Sequence, residues 1–191
     1  MKPPRNIELK HSEEQILLRP PEMKDGSAIY EAVLVSKDDL MPWMDWCRSD
    51  YSMEITLEWL RKCPSEWEDG ENYQFAIFDA ISSQFLGSCG INHINRYYLI
   101  ANLGYWIRSD RLGEGVATNA AMLVSQFGFH KLGLRRIEIV TGVENNASRR
   151  VAEKTGAHFE GILRKRLKLG DRNIYATMYS LIPEDFSEKS P

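Results

Sequence analysis

Residues 108–121 read RSDRLGEGVATNAA, and this is the most informative stretch of the sequence for the fold. It follows an alternating segment, ANLGYWI at 101–107, and precedes apolar residues at helical spacing. Gly113 and Gly115 bracket Glu114, and because neither glycine has a Cβ, a ligand can approach the backbone closely. The stretch therefore predicts a strand, a glycine-rich turn and a helix, in that order.

The start of this helix is suited to an anion. The first turn of a helix leaves backbone N–H groups without partners, and the helix dipole adds partial positive charge there. Arg108 and Arg111 place two cationic side chains near the turn. The pattern indicates a pyrophosphate cradle, although a Gly-x-Gly pattern is also typical of an ordinary turn.

Two common nucleotide motifs do not fit the turn. The Lys-Ser/Thr ending of a nucleotide P-loop is missing. The glycine spacing and the antiparallel strands predicted before the turn differ from the dinucleotide fingerprint.

The flanking patterns predict a three-layer α/β (α+β) domain, with a mixed, mostly antiparallel central sheet and helices on both faces. Strands are expected at 15–19, 73–79, 85–91, 101–107, 136–141, 162–169 and 173–182. Helices are expected at 25–36, 53–67, 116–132 and 146–154. The expected organisation is one domain over residues 1–191, with a core from about 15 to 182 and loosely tethered ends at 1–6 and 187–191.

Bulk composition narrows the function. The chain has 191 residues with 43% hydrophobic and 27% charged residues, which is typical of one globular domain. A net charge of -3 argues against a nucleic-acid partner. No apolar run approaches the roughly 18 residues of a membrane span, and the N-terminus has no signal-peptide core. A cytoplasmic protein without a membrane partner is expected.

The cysteines Cys47, Cys63 and Cys89 are odd in number and form no CxxC pair, so neither a disulfide framework nor a structural zinc site is expected. Cys89 lies between two glycines in a predicted strand and should be buried. A cysteine acyl-enzyme is therefore not expected.

A second motif follows at residues 143–157, VENNASRRVAEKTGA. It contains NxxSxRVxxKxG starting at Asn145 and is closed by Glu160-Gly161. Together with the glycine-rich turn after Gly104-Tyr105-Trp106-Ile107, it resembles the GNAT acetyltransferases, specifically the RimJ/RimL-like branch that acetylates protein N-termini. The resemblance covers roughly residues 18–181.

The resemblance implies a GNAT-type fold that binds acetyl-CoA. The strands at 101–107 and 136–141 should splay, and pantetheine should insert between them. The pyrophosphate should sit on the amides of residues 111–118, with Asn145 on the pantetheine arm and Ser148 near the thioester sulfur. The implied cofactor residues are Ile107, Arg108, Arg111, Leu112, Gly113, Glu114, Gly115, Val116, Ala117, Thr118, Asn145 and Ser148.

Three positions depart from the family pattern. Asp110 stands where Gln or Arg is frequent, with Arg111 beside it. Asn102 stands where many relatives have Glu. Ala152 stands where many have a Tyr proposed as the general acid. The sequence therefore leaves the general base unassigned.

Ser148, His93 and Tyr175 are the candidate catalytic residues. Ser148 can donate to the sulfur, or its hydroxyl can bond the backbone of its own helix. His93 and Tyr175 are candidate proton acceptors, although a packing or rim position also fits His93. Asn145 is either a cofactor ligand or only a helix cap. The segment from Trp43 to Trp46 is either a wall of the acceptor cleft or a core plug.

The expected reaction is direct attack of an amine on a thioester. A protein α-amine has a pKa of about 7.7–8.0, against about 10.4 for lysine. A site without an assigned general base therefore favours an α-amine acceptor. The first hypothesis is N-terminal acetylation of a protein such as a ribosomal protein, by a monomer or homodimer. The alternatives are acetylation of a small amine, a non-catalytic acyl-CoA-binding regulator, and a bare interaction domain.

Overall fold

The computed structural model describes residues 3–5, 7–11 and 16–189 of the chain. Within these ranges, eight strands form one mixed sheet. The strands are β1 Leu9–His11, β2 Ile16–Arg19, β3 Tyr73–Asp79, β4 Phe85–Asn95, β5 Ile100–Ile107, β6 Arg136–Gly142, β7 His158–Leu169 and β8 Arg172–Leu181. The α-helices are α1 Gly26–Val35, α2 Lys37–Leu40, α3 Met53–Asp69, α4 Val116–Leu132 and α5 Asn146–Lys154.

The sheet order is β1-β2-β3-β4-β5-β6-β8-β7. All neighbouring pairs are antiparallel except β5 and β6, which run parallel. A parallel pair needs a crossover connection, and α4 provides it. The predicted mixed, mostly antiparallel sheet is confirmed.

β5 and β6 pair only where they begin. Their register runs from Ile100↔Arg136 to Asn102↔Glu138, after which β5 continues along β4 and β6 along β8. In the described part of the chain, no strand occupies the opening between their C-terminal halves. The predicted splay of these two strands is confirmed.

Helices cover both faces of the sheet, which confirms the three layers. On one face Val124 of α4 packs in a buried cluster with Ile137 of β6. On the other face Leu60 of α3 packs in a second cluster with Phe85 of β4. A Cβ at Gly128 would lie 2.8 Å from Ile137 Cδ1, so a glycine at this position lets α4 lie close to the sheet. This close packing holds the C-terminal half of α4 against β4 and β6.

Several element bounds match the sequence patterns. Helix α5 and strand β3 coincide with the predicted segments 146–154 and 73–79. The predicted first strand began at residue 15, which lies outside the described residues. β1 and α2 were not predicted, because three or four residues are too few to show a period.

The N-terminal segment is partly anchored. Residues 1, 2 and 6 lie outside the described residues. Pro3 is buried, and its carbonyl accepts a hydrogen bond from Trp67 Nε1 at 3.0 Å. Arg5 Nη2 donates to Pro21 O. The expectation of a loose end is therefore wrong for Pro3 and Arg5, because both are held by the rest of the domain.

The C-terminal segment continues past the expected core. Pro183–Lys189 forms a 3-10 helix, and the Phe186 ring lies 5.6 Å from the Phe129 ring of α4. Of the expected loose end at 187–191, residues 190 and 191 lie outside the described residues. No helix in the described ranges is long and apolar enough to span a membrane.

Candidate active site

The glycine-rich turn joins β5 to α4. Ser109–Arg111 forms a 3-10 helix, and Gly113 and Gly115 adopt φ of 84° and 82°. These positive values favour glycine over residues with a Cβ. A Cβ at Gly113 would meet nothing within 4 Å, so the backbone is open to a ligand at this point.

The helix start offers backbone donors beside this open position. Gly115 is the N-cap of α4 and has no side chain to bond the first turn, so the N–H groups of Val116, Ala117 and Thr118 have no partner within the helix. The implied set of amides began at Arg111. Because the Arg111 N–H donates to Arg108 O at 3.1 Å, the available amides begin at Leu112.

Arg108 does not supply charge to the turn, which corrects the sequence expectation. Its side chain is 4% exposed. The guanidinium donates to Asp110 at 2.6 Å, to Glu31 at 3.1 Å and to Phe85 O at 3.3 Å. Arg108 therefore ties β5 to α1 and β4.

Arg111 lies at the surface of the turn and is also paired. Its Nε donates to Glu114 at 2.8 Å, and its Nη2 donates to Asp79 at 3.3 Å. Backbone hydrogen bonds from Ser82 and Ile81, together with Arg111, lower the pKa of Asp79 to about 2. The positive charge of Arg111 is therefore offset by two carboxylates at neutral pH.

The splayed half of β5 presents backbone groups toward the opening. The Arg108 N–H donates to Leu86 O of the β4 side at 2.9 Å. Backbone groups alternate between the two sides of a strand in an antiparallel ladder. The N–H and C=O groups of Tyr105 and Ile107 therefore point away from β4, toward β6. An extended ligand could pair with them.

Tyr105 connects β5 to α5. Its hydroxyl donates to Ser148 O at 3.0 Å and lies 3.1 Å from Ser148 Oγ, where either atom can be the donor. Burial raises the pKa of the Tyr105 phenol, which therefore stays protonated at neutral pH. Ser148 thus has a neutral hydroxyl partner, rather than the backbone bond that was the alternative.

Asn145 caps α5. Its Oδ1 accepts the Ser148 N–H at 3.1 Å, so the predicted cap is confirmed. This bond fixes the start of the helix and with it the position of Ser148. Whether Asn145 also contacts a cofactor stays a prediction.

A cleft of about 330 Å³ lies on the α1 and α3 face of the sheet and reaches Tyr105. We call it the aromatic cleft, after the side chains that form much of its wall: Trp46, Tyr51, Trp59 and Trp106. The Trp46 ring centroid lies 5.8 Å from that of Trp106 and 5.9 Å from that of Tyr51. The cleft therefore reaches strand β5 at Tyr105, whose side chain packs with the α4 cluster on the other face of the sheet.

The floor of the aromatic cleft is polar but uncharged. It contains Gln74, Ser88 and Asn92. Ser88 Oγ donates to Gln74 Oε1 at 3.3 Å, and Asn102 Nδ2 donates to Asn92 Oδ1 at 2.9 Å. Asn102, where many relatives have Glu, thus belongs to an amide pair beneath the cleft.

The tryptophan segment contributes to the aromatic cleft, and whether this cleft receives the acceptor stays a prediction. Trp46 and Met44 line the aromatic cleft. Trp43 packs at the end of β6, where a Cβ on Gly142 would lie 3.0 Å from its ring. Asp45 Oδ1 accepts the Gly170 N–H at 2.8 Å, which joins this segment to the β7–β8 turn.

His93 and Tyr175 lie outside the described lining of the aromatic cleft. His93 is exposed, with a φ of 50° at the irregular end of β4. Tyr175 is 49% exposed on β8. The structure does not place either side chain beside Ser148, and their catalytic roles stay predictions.

Two buried residues limit the possible chemistry. Cys89 is fully buried, and burial raises the pKa of its thiol, which agrees with the expectation that it is not a nucleophile. Ala152 is fully buried in the core beside α5. No phenol can therefore act from position 152.

Sequence reasoning missed Tyr105 as a site residue. Tyr105 was part of the motif, but its contact with Ser148 joins residues 43 positions apart. The alternation of β5 was the available signal, because it turns the Tyr105 backbone toward the splayed side. The paired amides of the cleft floor gave no sequence signal.

A family model for the acetyltransferase (GNAT) domain matches residues 15–158. The chain belongs to the GNAT acetyltransferase family. The match contains both the glycine-rich turn and Ser148, so both lie within the GNAT domain.

Named relatives lie within the same family. The GNAT chain is 38% identical to the N-acetyltransferase YjcK of Bacillus subtilis (strain 168) over 119 residues, which are 60% of this chain and 66% of YjcK. This match spans just under two thirds of that relative. The ribosomal-protein-serine acetyltransferase of Escherichia coli (strain K12) is 26% identical over 152 residues, 78% of this chain and 84% of that protein.

A solved structure shares the whole GNAT architecture. RimJ of Mycobacterium smegmatis, in complex with CoA-disulfide, superposes with a TM-score of 0.80 at 26% identity. The superposition covers 91% of this chain and 84% of that chain.

Proposed function

We propose that this GNAT protein is an acetyl-CoA-dependent N-acetyltransferase that acts on the N-terminal α-amine of a protein, such as a ribosomal protein. One observation carries the proposal. The splayed strands β5 and β6 open beside the glycine-rich turn, and Ser148 lies across that opening in contact with Tyr105.

The residues around the opening fit acetyl-CoA. Backbone groups of Ile107 would pair with the pantetheine, and Asn145 would hold its arm. The amides from Leu112 to Thr118 would bind the pyrophosphate, since Gly113 leaves space where a Cβ would stand. The Arg111 side chain could exchange Glu114 for a phosphate of the cofactor, because the carboxylate and the phosphate are both anions and the Arg111–Glu114 pair lies at the surface. Acetyl-CoA supplies an activated acetyl thioester when it is bound.

Ser148 and Tyr105 provide the proton chemistry. Ser148 Oγ–H would donate a hydrogen bond to the departing sulfur. Tyr105 has a single O–H donor. When it donates a hydrogen bond to Ser148 Oγ, the serine hydroxyl is free to donate to another group. When it donates to Ser148 O, the serine hydroxyl donates to the Tyr105 oxygen instead. Tyr105 therefore determines the direction in which Ser148 donates.

The N–H groups of the splayed β5 would polarise the thioester carbonyl. Preorganised backbone donors stabilise developing negative charge without reorganisation. Tyr105 and Ile107 offer such groups on the side away from β4. The chain can thus combine carbonyl polarisation on β5 with proton donation from α5.

An α-amine acceptor suits the uncharged cleft. None of the described residues that line it is ionised at neutral pH. About a tenth of α-amines are already free base near neutral pH, whereas lysines are almost entirely protonated. A water molecule could take the remaining amine proton. The name of the Escherichia coli relative, ribosomal-protein-serine acetyltransferase, supports a protein substrate.

We place this activity in the cytoplasm, in one catalytic domain whose core spans about residues 15–182, as the sequence indicates. A monomer or a homodimer would suffice, since every residue used above belongs to one chain.

Release of CoA thiol in the presence of acetyl-CoA and N-terminal peptides tests the function. We expect turnover on peptides with a free α-amine and none on the same peptides with a blocked N-terminus. Turnover confined to small amines would contradict the protein substrate. Acetyl-CoA binding without turnover on any amine would indicate a regulator.

A further inference from the structure

The aromatic cleft is built for one uncharged group of side-chain size. Its volume of about 330 Å³ lies at the lower end of the roughly 300–1,000 Å³ of small-ligand pockets. Trp46, Tyr51 and Trp106 contribute ring surfaces to its wall, and Ile29 and Val33 contribute aliphatic surface. Such a lining gains free energy when it removes an apolar group from water.

Polar groups of the floor are already hydrogen-bonded, either to each other or to asparagines outside the lining. Gln74 Oε1 accepts from Ser88, and Gln74 Nε2 donates to Asn72 at 2.8 Å. Asn92 Oδ1 accepts from Asn102. An apolar ligand therefore leaves few unpaired polar atoms beneath it, whereas a charged group would lose water without gaining a counter-charge.

The described lining of the aromatic cleft is uncharged at neutral pH. Its two tyrosines are Tyr51 and Tyr105, and burial raises the pKa of both phenols. The nearby Asp45 carboxylate is exposed on the adjoining segment and accepts a hydrogen bond from the Gly170 amide. No charge of either sign in the described lining therefore compensates a charged ligand.

We infer that the aromatic cleft selects acceptors whose amine carries a neutral, apolar or aromatic substituent, and that Asn92 helps to set this selectivity by keeping the floor uncharged. The inference rests on the proposed function, because Tyr105 lines the cleft and also bonds Ser148. For a protein acceptor, the selected group is the side chain of its first residue.

Asn92→Asp is the sharpest test variant. It keeps the size of the side chain and an oxygen that accepts from Asn102, but it adds a negative charge to the floor. Asn95→Asp is the matched control. Asn95 lies on the same strand but outside the described cleft lining, and its Oδ1 caps the turn by accepting from the Tyr97 and Tyr98 amides, which an aspartate also does.

The experiment measures kcat/KM on peptides that differ only in the first residue: Phe, Leu, Lys or Asp. For the native protein we expect values for Phe and Leu at least about tenfold above those for Lys and Asp. Asn92→Asp should raise the Lys-to-Phe ratio about tenfold, and Asn95→Asp should leave it unchanged. Equal rates on all four peptides, a preference for a charged first residue, or equal effects of the two variants would overturn the inference.

A binding measurement separates this inference from the proposed function. If no peptide is acetylated, the proposed function fails, and calorimetry with phenylalaninamide and lysinamide decides the inference alone. Tighter binding of phenylalaninamide, with the preference lost in Asn92→Asp, would support the cleft assignment. Equal binding of the two amides would overturn it.

Discussion

Tyr105 and Ser148 form a hydroxyl pair in a chain that has no tyrosine at position 152. Ala152 occupies the position where a general-acid tyrosine was expected in many relatives, and it is buried in the core. Tyr105 instead reaches Ser148 from β5, at 3.1 Å from its Oγ. A protonated phenol beside the serine supplies a donor from another element of the fold.

Tyr105→Phe should lower kcat about tenfold and change the KM for acetyl-CoA less than about twofold, because it removes a proton partner without removing a cofactor contact. In a Ser148→Ala background the same change should have little further effect, since the two residues act together. Steady-state thiol release measures both.

Tyr179→Phe is the control for that prediction. Tyr179 is equally aromatic and fully buried, and its hydroxyl donates to Glu153 at 3.0 Å rather than to Ser148. Tyr105 contacts Ser148 O and Oγ, and Tyr179 contacts Glu153 and Arg149, so each substitution removes two hydrogen-bond contacts and should cost roughly 1–3 kcal/mol of stability. A similar fall of kcat in both variants would mean that the Tyr105 effect is only structural.

Residue roles were the least predictable level. For Asn145 the sequence leaves a cofactor ligand and a helix cap open, and the structure shows the cap. Arg108 was misassigned, because its ion pair with Glu31 joins residues 77 positions apart and leaves no local pattern.

At the scale of elements, Glu160 of β7 links three strands through hydrogen bonds to β6 and β8. Its carboxylate binds Arg136 of β6 through two hydrogen bonds, the longer at 2.6 Å, and accepts from Ser180 Oγ of β8 at 2.7 Å. Arg136 and Ser180 lower the pKa of Glu160 to about 2. The Glu160-Gly161 end of the family motif therefore has a structural role on β7.

Glu160→Gln should lower the free energy of unfolding by about 1 kcal/mol at pH 7, since the pair is partly exposed. A carboxylate whose folded pKa is depressed stabilises above its unfolded value of 4.5, and this stability is lost as pH falls toward about 2. The difference between native and variant protein should therefore shrink between pH 6 and pH 3. Urea unfolding at several pH values measures it.

Glu54→Gln provides the comparison. Glu54 also pairs with an arginine, Arg61, at 2.7 Å, but its side chain is 62% exposed. Its loss should change stability by less than about 0.5 kcal/mol. Equal, pH-independent losses in the two variants would contradict the linking role of Glu160.

Helices and strands were predicted well where the spacing of apolar residues and a cap or glycine at the end of the element agree. Helix α5 has both a cap at Asn145 and a glycine with positive φ at Gly156. The extension of β4 to Asn95 was not predicted, because residues 92–95 contain a single apolar side chain, Ile94, and pair irregularly with β5. Such a segment lacks the apolar alternation on which a prediction depends.

At the scale of the whole molecule, segments far apart in the sequence form one cleft. The aromatic cleft combines α1, the segment before α3, α3 itself and strands β3 to β5. The fold class and the splay of β5 from β6 follow from the motifs. The shape and neutrality of the cleft do not, because they depend on how these separated segments pack.

The neutral cleft has a consequence for the pH dependence of the reaction. Without an ionised base in the described lining, the acceptor must enter as free amine. We expect kcat/KM for an α-amine peptide to rise about tenfold per pH unit and to level off near pH 8. A flat profile between pH 6 and 8 would point to a base on the protein. A peptide with a blocked N-terminus and one lysine should show no turnover across this pH range.

The central claim is that acetyl-CoA binds at the glycine-rich turn before α4. Calorimetric titration of the native protein, Gly113→Trp and Gly133→Trp tests it directly. Gly113 and Gly133 flank α4, both have positive φ, and a Cβ on either would meet nothing within 4 Å. The backbone strain of substitution, roughly 1–2 kcal/mol, is therefore matched.

We predict micromolar binding to the native protein and to Gly133→Trp, and loss of binding in Gly113→Trp. Binding that survives Gly113→Trp, or no binding to the folded native protein, would contradict the account.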